Sequence, residues 1–483
     1  MITIKTTAIS ILFFVSLLFT GCDNETKTSA RNTSNSEVKP DTLFVIKNVN
    51  IIPMTVDNTV IENATVIIDD KKIVGINTTI PDGATIIDGK EKWLIPGLVD
   101  MHVHTHADIN FKENKPTQGA TVFFNTQDVM GLYVANGITT TFNLDARVEH
   151  FAQRNEIASG KVMGPRMALA ALIDGGEGWG RKANTASDGR QAVRSAKAEG
   201  YNFIKVYSFL NADTFKAIVD EANKQGLKVV GHIPDVFRGN LEEVFVPHFD
   251  LVAHAEEYSK HSKNKTVEDA QYFAKLAKEN NTWLISSLTT MIWIRSQLKS
   301  LDEVQNSEYI KYLHPILQDR WLNPSTNHYY KRTSPEFIAT IDAYIDFHKK
   351  LIKAFNDAGV PIVAGTDSGI PVIIPGFSLH DELGLMVEAS MTNEKVLLSA
   401  TRLPAEWLGI DKETGTVEVG KYADLILLDK NPLEDIKNTR TVNGVFVSGT
   451  WVDKKRLDTM LSGLAQYNEK NKENFKWEKR REY

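Results

Sequence analysis

Gly97-Leu98-Val99-Asp100-Met101-His102-Val103-His104 is an apolar run that closes on two histidines, one residue apart. On an extended strand, residues i and i+2 share a face, so both imidazoles lean the same way. Seven more apolar, strand-like runs follow, at 139–144, 167–172, 203–207, 228–232, 251–254, 283–287 and 361–366, with helix-like stretches between them. Eight such alternations predict an α/β fold of the (β/α)8 TIM-barrel type. No Gly-x-Gly-x-x-Gly turn follows the first strand, which argues against a dinucleotide-binding sheet. Lys205, His232 and His254 stand at the ends of three of these runs, and Asp367 follows the last. In a barrel these positions converge on the C-terminal rim, where active sites are built.

Outward from the barrel the texture changes. Residues 42–93 and 415–460 carry short β-branched runs separated by turns, with Asp70-Lys71 and Asn443-Gly444 as tight hairpin turns. Neither block alone has enough strands to bury a core, so together they predict a small β-sandwich domain of antiparallel strands built from both chain ends. The barrel, 94–414, is inserted between them. The gap before the eighth strand is long, and 291–334, rich in Trp and Tyr, reads as an insert near the barrel mouth. Residues 461–483 are dense in Glu, Lys and Arg and read as a solvated helical tail.

Composition narrows the chemistry. The 483 residues are 42% hydrophobic, enough for a large core, and Lys plus Arg (55) against Asp plus Glu (61) leaves a net charge of −6. That balance excludes a general nucleic-acid binder. The single cysteine, Cys22, excludes a disulfide framework and cysteine-based metal sites, so any metal falls to His and carboxylates. Lys5, the apolar stretch 8–19 and Leu18-Phe19-Thr20-Gly21-Cys22 form a secretory-type segment too short to span a bilayer. It resembles a bacterial lipoprotein signal. That resemblance implies cleavage after residue 21, lipidation of Cys22, a flexible tether over 22–41, and a membrane-anchored protein of the cell envelope.

Lys205 lies inside Phe203-Ile204-Lys205-Val206-Tyr207. A buried ammonium there needs a partner, and it repels any cation held by neighbouring histidines. Carboxylation by carbon dioxide removes both objections, because the carbamate is an anion with two oxygens able to bridge two metals. Pro96 to His104, the strand-four lysine, the two single histidines and Gly365-Thr366-Asp367 together resemble the amidohydrolase superfamily of metal-dependent hydrolases. Ser378-Leu379-His380-Asp381-Glu382-Leu383 and the run from Gly415 to Leu425 resemble its imidazolonepropionase-like and Xaa-Pro dipeptidase-like branch. The resemblance implies two divalent ions, zinc by preference, bridged by carboxylated Lys205. His102, His104 and Asp367 then hold the more buried ion, and His232 and His254 the other. It further implies cleavage of a C–N bond, in an amide, peptide-like or cyclic amide substrate, by a metal-activated hydroxide, with Asp367 as proton shuttle.

Other residues are candidates for substrate recognition. Tyr207, two after Lys205, faces the same way on a strand and is a second catalytic candidate, or a buried aromatic. Arg238, His328 and His380 are candidate substrate contacts, Arg238 as a carboxylate clamp. Asp100 is a candidate acceptor for a ligand imidazole, or a turn residue. His106 continues the alternation past His104, but the resemblance needs only the first two histidines. The expected partner is a small molecule or short peptide, and the oligomeric state stays open. Two other readings remain: hydrolysis of an ester or organophosphate-like bond, and a non-catalytic solute-binding lipoprotein of the envelope.

Overall fold

The computed structural model describes residues 43–110 and 121–480. Cys22, the signal-like segment and the tether lie outside them. Eight parallel strands, Leu98–Val103, Ile138–Asn143, Arg166–Asp174, Phe203–Val206, Lys228–Gly231, Phe249–Ala253, Trp283–Ile285 and Ile362–Val363, pair in chain order. The last closes on the first: Met101 N donates to Ala364 O at 3.0 Å and Asp367 N to His102 O at 2.7 Å. The expected (β/α)8 barrel is therefore present. Its strands are buried on both faces, as parallel strands flanked by helices must be.

The barrel interior is packed from below. Val99, Met101, Phe142, Phe203, Val230, Leu251, Ile285 and Val363 fill it, and Trp407, from a helix beyond the eighth strand, stacks on Phe203 with centroids 5.5 Å apart. This plug leaves the polar strand ends at the opposite rim as the open part of the barrel.

Strands from both chain ends join in one further sheet, in the order Thr450–Asp453, Val442–Val447, Leu425–Leu428, Trp93–Pro96, Leu43–Ile51, Ile61–Asp69, Lys72–Ile76. The sheet has its own core, including Ile46, Val66, Ile68, Leu94, Leu425 and Phe446. The sheet is mixed, not wholly antiparallel, because Thr85–Asp88 and Trp93–Pro96 run parallel to Leu43–Ile51. Asp70-Lys71 does turn the hairpin between Asp69 and Lys72. Asn443-Gly444 does not. Both lie inside Val442–Val447, where a Cβ on Gly444 would meet the Trp451 ring at 2.1 Å, and the turn falls at Ser448-Gly449, each at positive φ. The glycine makes room for an indole there.

The long gap before the eighth strand folds into helices Leu288–Lys299, Asp302–Gln305 and Pro315–Leu322. A 24-residue helix, Pro335–Ala358, follows it. Ser334 Oγ accepts from Phe337 N at 3.1 Å to cap this helix, Pro335 takes its first position, and Gly359 at φ 70° ends it. The insert is pinned at its start by Glu382. That buried carboxylate accepts from Ser286 Oγ (2.6 Å), Leu288 N (2.9 Å), Thr289 N (2.8 Å) and Thr289 Oγ1 (2.9 Å), capping Leu288–Lys299 from another helix.

The tail departs from its expected role. Helix Lys454–Asn471 and the residues after it expose one face and dock the other: Leu461, Leu464, Phe475 and Trp477, partly buried, pack against the apolar cluster of the insert with Phe124, Leu317 and Trp321. Asn468 Nδ2 donates to Lys311 O at 3.0 Å and Trp477 N to Asp319 Oδ2 at 2.8 Å. The many charges conceal an apolar stripe, as an amphipathic helix requires. Among the described residues no helix is long and apolar enough to cross a membrane.

Candidate functional site

The first and eighth strands bring three ligand-type atoms to one point. His102 Nε2 and His104 Nε2 lie 3.2 Å apart, and Asp367 Oδ1 lies 3.1 and 3.0 Å from them. Asp367 sits at φ 62°, a left-handed conformation that non-glycine residues adopt at a cost of about 1–3 kcal/mol and that concentrates at functional sites. Its neighbours permit the approach. A Cβ on Gly365 would lie 2.9 Å from His102 N, and one on Gly369 would lie 2.3 Å from His104 O. Asp100 then fastens the two strands, accepting from Thr366 Oγ1 (2.7 Å), Thr366 N (3.0 Å) and His102 N (3.3 Å). Asp100 is thus not the acceptor of a ligand imidazole; its oxygens are used on backbone and hydroxyl, and His102 Nδ1 has no partner.

The next strands complete the cluster. The His102 and His254 rings lie 4.5 Å apart, His254 and His232 5.1 Å, and His232 and Tyr207 3.9 Å in a stack. Tyr207 therefore faces the rim as its spacing from Lys205 predicts. His254 stands at φ 81°, a second strained backbone in the same cluster. Lys205 is 1% exposed, its Nζ has no hydrogen-bond partner and lies 5.9 Å from the Tyr207 ring centroid. Burial pushes its amine down to about 8, against the pull of Asp367 and Glu257. Burial, joined by the charge of Lys205, also drives His102 and His232 well below the usual imidazole range, and burial takes His254 down to about 3. Asp367 behaves oppositely: burial opposes its ionisation, but His254, His104 and Lys205 together hold its carboxyl below the usual range. Neutral imidazoles and an ionised carboxylate are the forms that bind a cation. Beside them the lowered pKa of the orphaned Lys205 amine favours its neutral form more than an exposed lysine's would. His102, His104 and Asp367 therefore form a donor set that fits a divalent ion.

Two residues of the site carry no periodic or motif signal in the sequence. Glu257 is fully buried, and its carboxylate takes His232 Nδ1 at 3.2 Å, Ile233 N at 3.0 Å and Lys260 Nζ at 2.6 Å. With Ser208 Oγ at 2.9 Å from the same Nδ1, it fixes the His232 ring and leaves Nε2 free to bind. Tyr329, from the insert, is largely buried, and the charges of Asp367 and Glu256 act on its phenol, which burial pushes above its usual range.

Three expected substrate contacts are placed elsewhere. Arg238 is exposed and committed to Asp235 at 3.0 Å within its own turn. His380 is buried between Thr439 Oγ1 (2.9 Å) and Asn136 O (3.2 Å), tying its helix to the outer sheet connection, and burial holds it neutral. The segment from Ser378 to Leu383 is thereby a structural clasp: Ser378 Oγ accepts from Ile374 N at 2.9 Å and Glu382 caps the insert. His328 is exposed, its ring edge-on to Tyr329 at 5.3 Å, so the insert turns Tyr329 toward the site and His328 outward.

Comparison with known proteins agrees with this geometry. The chain is 33% identical over 98 residues to the imidazolonepropionase of Shouchella clausii (strain KSM-K16), a match covering 19% of this chain and 21% of that protein. The chain thus spans about a fifth of that relative's length. Among solved structures, a putative prolidase from Bifidobacterium longum aligns with TM-score 0.63 at 22% identity, over 88% of this chain and 99% of the other. A Xaa-Pro dipeptidase with bound methionine in its active site aligns with TM-score 0.64 at 21% identity, over 85% and 100%. These two likenesses are of fold. Residues 93–452 match the Amidohydrolase family, which is most of the chain and the whole barrel, and the chain belongs to that family.

Proposed function

We propose that this protein is an enzyme that hydrolyses a C–N bond in a small amide or peptide-like substrate, using two divalent ions. The observation that carries the reading is the meeting of His102, His104, Lys205, His232, His254 and Asp367 around a buried amine that has no partner. Lys205 Nζ first gives up its ammonium proton, and the neutral amine then adds to carbon dioxide and loses a second proton, so that an anionic carbamate replaces a buried cation. His102, His104 and Asp367 would hold one ion, His232 and His254 the other, with the Lys205 carbamate shared. When bound there, the ions, zinc by family resemblance, supply Lewis acidity and an acidified water. Asp367 takes the proton from that water and delivers it to the leaving nitrogen. Tyr207, kept protonated by burial, donates a hydrogen bond to the substrate.

Protein purified with zinc and bicarbonate is expected to bind about two ions per chain and to release amine from members of a panel of dipeptides, N-acyl amino acids and cyclic amides. Binding of no metal, or cleavage of esters alone, would overturn the reading. Glu257→Gln is expected to weaken zinc affinity by about 10- to 100-fold, read by chelator competition; unchanged affinity would confine Glu257 to holding Ile233 and Lys260.

The same proposal extends to location: the chain is anchored to a membrane of the cell envelope by lipid on Cys22. Cys22→Ser is expected to move the protein from the detergent phase to the aqueous phase and to abolish fatty-acid labelling. Retained labelling would rule the anchor out.

A further inference from the structure

We infer that Tyr133 is a positioning residue of the centre: its hydroxyl pins Ser368 and thereby fixes where the Asp367 carboxylate stands. The inference rests on the hydrolase reading for the work that Asp367 does, and on the following geometry for the hold that Tyr133 has on it.

Asp367 stands in the left-handed region at φ 62°, and a strained backbone persists only where its surroundings over-determine it. Ser368, the next residue, is fully buried and is tied in three directions. Its carbonyl accepts from His104 N at 2.6 Å, its amide donates to Thr366 Oγ1 at 3.0 Å, and its hydroxyl lies 3.1 Å from Tyr133 Oη. The first two bonds stay within the strand ends and the turn that carry the ligand-type residues. The third reaches outside them, to helix Thr126–Ala135, 235 residues away in the chain. Tyr133 is itself fully buried in an apolar core, and burial raises its phenol above the usual range, so it remains a hydroxyl.

That helix is a fixed reference for the whole connection after the eighth strand. Asn125 Oδ1 caps its start, accepting from Gln127 N at 2.9 Å and Asp128 N at 3.3 Å. Near its end Gly376, at φ 81°, passes so close that a Cβ there would lie 2.4 Å from Leu132 O. Just past it, Asn136 O accepts from His380 Nε2 at 3.2 Å. The connection thus meets this helix or its end at Ser368, Gly376 and His380, and the first of these contacts adjoins the reacting carboxylate. The insert holds the same connection through Thr290 Oγ1 to Thr366 O (3.4 Å) and Gln297 Nε2 to Pro371 O (3.2 Å), but neither bond falls on residue 367 or 368. Without the phenolic hydroxyl, Ser368 Oγ has no partner among the described residues. A buried hydroxyl left unpaired is costly, so the turn shifts to relieve it, and Asp367, already on a strained backbone, moves with it.

The test pairs hydrogen exchange on metal-free full-length protein with kinetics on zinc-loaded protein, for Tyr133→Phe, Ser368→Ala and the double variant. Each single variant is expected to speed exchange of the His104 and Asp367 amides by about 5- to 100-fold, while amides of strand Phe203–Val206 and of the outer sheet keep wild-type rates. On the dipeptides and N-acyl amino acids that wild type cleaves, kcat is expected to fall by a similar factor, with KM and bound zinc unchanged. The double variant is expected to lose no more than the worse single variant, because both substitutions remove one shared bond. Unchanged exchange at residues 104 and 367 overturns the inference. So do acceleration spread evenly over the control strands, a rise in KM at constant kcat, and additive losses in the double variant. The exchange measurement needs neither metal nor turnover, so localised acceleration in a protein that cleaves no amide sinks the hydrolase reading and leaves the hold of Tyr133 on the turn standing.

Discussion

Asp367→Asn is expected to lower amide turnover by about 10²- to 10⁴-fold, with the fold and most of the bound zinc retained. The asparagine is isosteric and can still donate its oxygen to a cation, but it cannot accept and release a proton at pH 7. The same substitution preserves the strained backbone at φ 62° as well as any residue can, since Asn tolerates the left-handed region. Stability is therefore expected to change little, and denaturant unfolding run beside the kinetics separates the two effects. A variant that retains turnover within tenfold of wild type would remove Asp367 as the proton carrier. One that loses zinc in parallel with turnover would reduce it to a ligand.

Lys205→Ala is expected to abolish detectable turnover and to cut bound zinc from about two ions per chain towards one or none. Its side chain is 1% exposed, and its charge acts on the imidazoles of His102, His232 and His254. Removal of the side chain deletes the amine that the proposed carbamate needs, and leaves a cavity where it stood. The cavity alone would make the effect ambiguous, so two companions decide it. Lys205→Met fills the space without charge and is expected to be as inactive as alanine while regaining stability. Lys205→Glu supplies a carboxylate and is expected to regain part of the metal. Wild-type activity should also fall when the protein is stripped of metal and bicarbonate and reloaded with metal alone. Full activity in Lys205→Met would end the bridging role.

Much of this site was legible before folding was considered. His102, His104, Lys205, His232, His254 and Asp367 each sit at or just past the end of an apolar run, and a barrel gathers strand ends whatever the loops do. Tyr207 followed by the same alternation. The substrate residues were not legible, because residue type and nearness in sequence, which point to Arg238 and His380, do not reveal the partners those side chains meet. Arg238 met Asp235 three residues earlier, a local pairing that outcompetes a distant ligand. His380 met Thr439 and Asn136 O, partners 59 and 244 residues away. The docking of the tail is hidden for a related reason: its charges dominate the composition, while a few apolar residues make the contact.

The amino-acid pattern alone determined the barrel, its insertion between two blocks of β-strand, and the ligand-type residues on the rim. Those features are written in local periodicity, which survives without knowledge of any contact. Only the tertiary structure decided that Glu257 orients His232, that Glu382 caps the insert, that Tyr329 and not His328 turns inward, and that Tyr133 reaches Ser368. Each of these depends on which side chains from remote or irregular segments come within hydrogen-bonding or stacking distance. Packing settles that, because a buried charge or donor takes whatever partner the assembled core brings to it.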